Sequence, residues 1–203
     1  MILRFADGSG TVLAAVRGYI AILVVDAGRV VNVSYVPSNN SWRWADYQQE
    51  RPRLERLRAT VAAAARFGVF QVERDKAGAV ADEIRYMKSI DPTLGLYAAY
   101  AYSDAGLGDK VRSVQAYMRN DLSADLFDVA MLAGTLTGSQ YGPPVVPFCP
   151  MLGQGWGLLR VRGVRLPQAL LRAADHLRPA LWTTFEPTGM DIIQEAFQKG
   201  ELT

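Results

Sequence analysis

The N-terminal part of the chain alternates short apolar runs with glycine-bearing turns. After Asp7-Gly8-Ser9-Gly10, the apolar runs cover residues 11–16, 19–25 and 29–36. Runs rich in β-branched and aromatic residues, separated by such turns, are typical of strands joined by hairpins. The pattern therefore predicts a three-stranded β-meander.

The second and third runs differ in how their apolar residues are spaced. Residues 19–25 are apolar at nearly every position, which predicts a central strand covered on both faces, so that Ile22→Asp would unfold the protein. Val31, Val33 and Tyr35 alternate with polar neighbours, as in a half-exposed strand.

Beyond residue 45 the apolar spacing becomes helical. Leu54, Leu57 and Val61 form one stripe of a helix that begins near Asp46. Asp91-Pro92 is a helix start signal, because Asp caps the first turn and Pro tolerates its first position. The pattern predicts further helices over residues 76–90, 93–103, 109–120, 122–132, 167–177 and 187–198, and short strands over 69–72 and 145–149. The last helix is expected to bury Met190, Ile193 and Phe197.

These patterns predict an α+β fold, in which an N-terminal β-meander packs with a mainly helical remainder. Residues 93–103 and 109–120 are expected to form an αα-hairpin, because the short segment between them is rich in glycine. We expect a single domain over residues 1–203, with a flexible linker at 134–144, where Gly, Thr, Ser, Gln and a Pro-Pro pair leave little to bury.

Composition and charge narrow the classes of partner. The formal charge is +2 and the basic residues form no polybasic run, so neither nucleic acid nor an anionic membrane surface is indicated. The most apolar stretch, residues 11–25, is interrupted by Arg17 and Gly18, and no signal peptide is evident. The single cysteine excludes an internal disulfide and fits a reducing compartment, so we expect a cytoplasmic protein.

Residues able to carry catalysis are few. His176 is the only histidine, so a thiol-dependent hydrolase would pair it with Cys149. The favoured alternative places Cys149 at the buried end of a strand, with no thiol labelling until the protein unfolds. Gly153-Gln154-Gly155-Trp156-Gly157 fits neither a dinucleotide fingerprint nor a phosphate-binding P-loop.

No metal or cofactor is expected. Asp121, Asp125 and Asp128 are spaced to share one helix face, which favours a solvated face over a metal site.

Aromatic residues supply the binding candidates. Trp42 and Trp44 follow a loop at residues 37–41, with Tyr47 close behind, and Trp156 lies among the glycines. Such residues act either as an interaction platform or as a cap on the core. We predict a split, with one of Trp42 and Trp44 structural and the other available for binding.

Four stretches carry a resemblance to a known family. They are Ser9-Gly10-Thr11-Val12-Leu13-Ala14, Val30-Val31-Asn32-Val33-Ser34-Tyr35-Val36-Pro37, Pro147-Phe148-Cys149-Pro150-Met151-Leu152 with Gly155-Trp156, and Leu177-Arg178-Pro179-Ala180-Leu181-Trp182-Thr183-Thr184-Phe185. Together they resemble the region C-terminal to the protease domain in some bacterial caspase-like proteins. The resemblance implies a non-catalytic companion domain. The catalytic His and Cys of that family would lie in the upstream protease domain, so no catalytic residue is carried over.

Three functional hypotheses follow. The first is a regulatory or protein-interaction module whose partner is a protein, in the first place a caspase-like protease. The second is a thiol-dependent hydrolase that uses Cys149 and His176. The third is a small-ligand sensor with a pocket lined by Tyr97, Tyr100, Tyr102 and Trp156.

Overall fold

The fold is α+β, as predicted, with two N-terminal strand hairpins followed by a mainly helical remainder. The computed structural model describes residues 1–65, 68–136 and 144–202. The strands are β1 (Ile2–Arg4), β2 (Gly10–Val12), β3 (Tyr19–Asp26), β4 (Arg29–Pro37), β5 (Asp125–Leu126) and β6 (Val145–Val146). The helices are α1 (Trp44–Ala64), α2 (Arg74–Ile84), α3 (Pro92–Asp104), α4 (Gly108–Leu122), α5 (Phe127–Ala133), α6 (Gly155–Leu158), α7 (Gln168–Ala174) and α8 (Pro187–Gln198).

The strands at the N-terminus form two separate antiparallel pairs, so the predicted three-stranded meander is wrong in its pairing. β1 pairs with β2, in a register that sets Ile2 opposite Val12. β3 pairs with β4, from Tyr19 opposite Pro37 to Asp26 opposite Arg29. The first hairpin turns at Asp7, whose carboxylate accepts hydrogen bonds from the backbone N–H of Ser9 at 3.0 Å and from its hydroxyl at 2.5 Å. β2 therefore has β1 as its partner, a strand of three residues that is too short to show a pattern in the sequence.

The burial of β3 contradicts the expectation, whereas that of β4 agrees with it at Val33 and Tyr35 but not at Val31, which is exposed. Ile20, Ile22 and Val24 of β3 are exposed, whereas Val33 and Tyr35 of β4 are almost fully buried. Among the described residues, β3 pairs with β4 only, so it is an edge strand with one face turned to solvent. The prediction of a central strand covered on both faces is therefore wrong, because a uniformly apolar run does not show which layers cover it.

Helix α3 is the centre of the helical part. Every residue from Pro92 to Tyr102 is buried. The predicted start signal is confirmed, since the Asp91 carboxylate accepts a hydrogen bond from the backbone N–H of Thr93 at 3.0 Å, and Pro92 takes the first helical position. α4 follows after a short turn and packs on α3, which gives the predicted αα-hairpin.

Other predicted elements shift or shrink. α1 begins at Trp44 and holds Pro52 in its interior, while Leu54, Leu57 and Val61 face the core as expected. α8 has the predicted bounds and buries Met190 and Ile193, but Phe197 is 53% exposed. Residues 69–72 form no strand, and only Val145–Val146 of the strand expected over 145–149 is present, paired in parallel with β5. Within the linker predicted at 134–144, residues 137–143 lie outside the described part of the chain.

Candidate functional site

Trp42 is the feature that most clearly marks a surface for binding. Its side chain is 71% exposed, although it follows directly on a loop beside the folded core. The guanidinium carbon of Arg43 lies 4.3 Å from the centroid of the Trp42 ring and 5.4 Å from that of Tyr19. Arg43 is itself buried, and its Nη2 donates to Asp121 Oδ1 at 2.5 Å and to the Asp121 backbone carbonyl at 3.1 Å. We call Trp42, Arg43, Tyr19 and Asp121 the Trp42 surface.

A cleft of about 660 Å³ adjoins Trp42. It lies between the two loops at the open end of the β3–β4 hairpin, near Gly18 and Ser38, and the turn after α4, near Ser123. Two atoms of its wall, Arg43 Nε and Asp121 Oδ2, are buried and have no hydrogen-bond partner among the described residues. Unpaired buried polar atoms are uncommon in folded proteins, and functional sites are one setting in which they persist.

Trp44, Tyr47 and Trp156 are less available than Trp42. Trp44 and Tyr47 are half-buried, and their rings stack on each other with centroids 5.3 Å apart. Trp156 donates its indole N–H to Thr183 Oγ1 at 2.8 Å and makes an edge contact with Phe185 at 5.7 Å. The four predicted binding residues therefore do not form one surface; Trp42 alone projects into solvent, and Trp156 has structural partners.

The structure does not assemble the predicted thiol and imidazole pair. Cys149 is fully buried in an apolar cluster with Val12, Ala173 and Met190. Burial, reinforced by the charge of Asp128, holds the pKa of the Cys149 thiol well above its ordinary value. Among the described residues no hydrogen bond joins Cys149 to His176, so the thiol has neither access nor a base, and this geometry argues against the hydrolase hypothesis.

The three aspartates predicted to share a solvated helix face are separated instead. Asp121 lies in the last turn of α4, Asp125 in β5 and Asp128 in α5. Asp125 is buried and accepts a hydrogen bond from Arg119 Nη2 at 2.7 Å. The described residues contain no group of three acidic, histidine or cysteine side chains placed to hold a metal ion.

Asp128 belongs to a buried network that the sequence did not reveal. Its carboxylate accepts hydrogen bonds from the Tyr100 hydroxyl at 2.6 Å and from the Met151 backbone N–H at 2.7 Å. Burial raises the pKa of Asp128 to about 6, and these hydrogen bonds oppose the rise. The network ties α3 and α5 to the segment around Met151, which is a structural role.

The tyrosines proposed to line a sensor pocket also have separate environments. Tyr100 is bound to Asp128, and Tyr102 donates its hydroxyl to Asp82 Oδ1 at 2.6 Å. Tyr97 lines a cleft to which Tyr100, Tyr102 and Trp156 do not contribute. The pocket proposed from Tyr97, Tyr100, Tyr102 and Trp156 is therefore not formed in that combination.

Two further findings bear on the class of protein. Over the described residues, no helix combines the length and the apolar character that crossing a membrane requires. No family model, curated protein or solved structure matches the chain, so the resemblance to the region beside bacterial caspase-like proteases stays a prediction.

Proposed function

We propose that the chain is a non-catalytic protein-interaction module whose binding anchor is Trp42. The single observation that supports this most is a tryptophan that is 71% exposed and yet fixed by a buried arginine. A tryptophan offers a large, rigid contact area with one polar N–H group, so an exposed one that the fold holds in place is suited to recognition.

The fixed position of Trp42 favours tight contact. Association costs about 0.5 to 1.5 kcal/mol for each flexible side chain that it immobilises. Stacking on Arg43 limits the freedom of the Trp42 ring before a partner arrives, and Asp121 limits that of Arg43. Tryptophan and arginine are also the residues most enriched among those that dominate interface energies.

The kind of partner follows from the resemblance in the sequence. A companion domain of a caspase-like protease would be expected to contact that protease, so a caspase-like protease is the partner we propose. The absence of an accessible nucleophile at Cys149 agrees with a companion that performs no proteolysis itself.

Site-specific photo-crosslinking tests the proposal. A photo-reactive amino acid at position 42, introduced in the native host, is expected to give one dominant crosslinked protein, which mass spectrometry then identifies. Position 86 is a matched control, because Tyr86 is 59% exposed and also lies under an arginine, with Arg85 at 5.1 Å from its ring.

The purified partner then allows a direct measurement. In titration calorimetry, Trp42→Ala is expected to weaken binding about 30-fold, which corresponds to the roughly 2 kcal/mol lost at an interface anchor. Tyr86→Ala is expected to leave the affinity within about twofold. Equal loss in both variants, or none in Trp42→Ala, would contradict the proposed anchor, and a crosslinked protein unrelated to proteases would contradict the proposed partner.

A further inference from the structure

A second cleft, separate from the Trp42 surface, has the features of a small-molecule site. It has a volume of about 600 Å³ and lies between β4, α1, the first turn of α3 and residues 179–181. Its walls include the buried aliphatic side chains of Val33, Val61 and Leu94. Ligand pockets are commonly of this size, with mainly apolar walls and a few placed polar groups.

Tyr97 is the first such polar group. The buried tyrosines Tyr35, Tyr100 and Tyr102 each donate their hydroxyl to an oxygen of the protein, at 2.7, 2.6 and 2.6 Å. Tyr97 is equally buried, at 3% exposure, and lines the cleft; its hydroxyl oxygen lies within reach of the Trp182 indole N–H, but no acceptor for its own proton is present among the described residues. A hydroxyl can donate one hydrogen bond as well as accept, so an acceptor atom of a ligand in the cleft could take the Tyr97 proton.

Arg58 is the second polar group of the wall. Its Nε and Nη2 donate to Asp91 Oδ2 at 2.9 and 2.6 Å, and Nη2 also donates to the Tyr35 carbonyl at 3.1 Å. These bonds fix the guanidinium in the wall of the cleft, whereas its Nη1 has no partner in the described part of the chain. Because an arginine has hydrogen-bond donors only, the Nη1 of Arg58 can bind only a hydrogen-bond acceptor.

Asp91 accepts from Nε and Nη2 of Arg58 and leaves its Nη1 donors available. Its Oδ1 already accepts from the backbone N–H groups of Tyr35 and Thr93 and from the Thr93 hydroxyl, and the residue is fully buried behind Arg58. At the rim, Asp26 and Arg29 face each other at the end of the β3–β4 hairpin, so their charges offset. The first turn of α3, at Thr93 and Leu94, adds the positive end of a helix dipole.

We propose that this cleft binds a small aliphatic carboxylic acid. The hydrocarbon body would lie against Val33, Val61 and Leu94, and the carboxylate would accept hydrogen bonds from Arg58 Nη1 and the Tyr97 hydroxyl. Charge-assisted hydrogen bonds between arginine and a carboxylate are among the strongest in proteins, which favours an anion over a neutral acceptor. None of the residues that line this cleft belongs to the Trp42 surface. The carboxylic acid proposal can therefore be tested independently of the proposed interaction anchor.

Three probes with the same eight-carbon chain distinguish the contribution of the head group to binding from that of the hydrocarbon. Octanoate, 1-octanol and octylamine are titrated into the ¹⁵N-labelled protein and followed by heteronuclear NMR. Octanoate is expected to saturate, with half-saturation below about 1 mM. Octylamine is expected to bind at least about tenfold more weakly, because its cation faces Arg58.

Two neighbouring substitutions on α1 then locate the site. Ala62 is exposed and lines the cleft, whereas Ala63 is exposed and lies outside it, so Ala62→Trp is expected to abolish saturable octanoate binding and Ala63→Trp to preserve it. Tyr97→Phe is expected to weaken binding about threefold to tenfold, the effect of one hydrogen bond. Binding that survives Ala62→Trp, octylamine binding as tight as that of octanoate, or no saturation by octanoate would each overturn the proposal.

Discussion

Strand β3 is apolar on both faces, yet the inner and outer faces of the β3–β4 hairpin have opposite environments. On the inner face, Tyr35 is buried, and its hydroxyl donates to the Ala14 carbonyl at 2.7 Å. On the outer face, Ile22 is 45% exposed, and Ile20 and Val24 flank it on the same side of the strand. Apolar character alone therefore does not identify the core, because burial depends on whether a second layer covers the strand.

Truncating the inner face is expected to have the largest effect on stability. Tyr35→Ala removes a buried aromatic ring and its hydrogen bond, and should lower the free energy of unfolding by about 3 to 5 kcal/mol. Urea denaturation measures the loss. Tyr35→Phe keeps the ring and should cost only about 1 kcal/mol, the usual value of one hydrogen bond. A loss in Tyr35→Ala no larger than that in Tyr35→Phe would show that the inner face is not part of the core.

The core also contains a carboxylate, since Asp128 is buried at a position where an apolar residue would be expected. Burial raises its pKa to about 6, so between about pH 4 and pH 6 the native state keeps a proton that the unfolded chain has lost. The native state then binds more protons than the unfolded state, and the free energy of unfolding should fall by about 3 kcal/mol as the pH rises through this window.

The pH experiment needs a reference variant, because other carboxylates act in the opposite direction. Hydrogen bonds and ion pairs lower the pKa of Asp82 and Glu195, which adds stability as the pH rises. Asp128→Asn keeps those groups and removes the titration at position 128. Urea denaturation from pH 4 to pH 7 gives the unfolding free energy of the native protein and of Asp128→Asn. The difference between the two should decrease as the pH rises. A difference independent of pH would mean that Asp128 is not stabilised in its protonated form.

The parts of the fold that sequence predicted are those fixed by neighbouring residues. The start of α3 depends on Asp91, which caps the first turn, and on Pro92 directly after it, so a window of a few residues contains the signal. The unexpected exposure of β3 depends on packing with distant segments. The sequence carries no signal for β1, because three residues give no periodicity.

The candidate sites depend on distant contacts even more strongly. The exposure of Trp42 is set by Arg43, whose partner Asp121 lies 78 residues away in the sequence. Tyr97 and Tyr100 share one helix, yet one lines a cleft and the other binds Asp128. Sequence could identify these residue types as candidates, but their roles follow from contacts that no local pattern contains.

The smallest expected effect is on the outer face, where the sequence alone predicted the largest. Ile22→Asp places a charge on a solvent-facing position of an edge strand, so the carboxylate stays hydrated and the cost is limited to the lower strand propensity of aspartate, about 1 kcal/mol. Cooperative unfolding in urea should persist with an unchanged slope. Ile22→Thr, which keeps a β-branched side chain, should cost less than Ile22→Asp. Loss of cooperative folding in Ile22→Asp would show that another layer covers this face, and the two faces of the hairpin would then be alike.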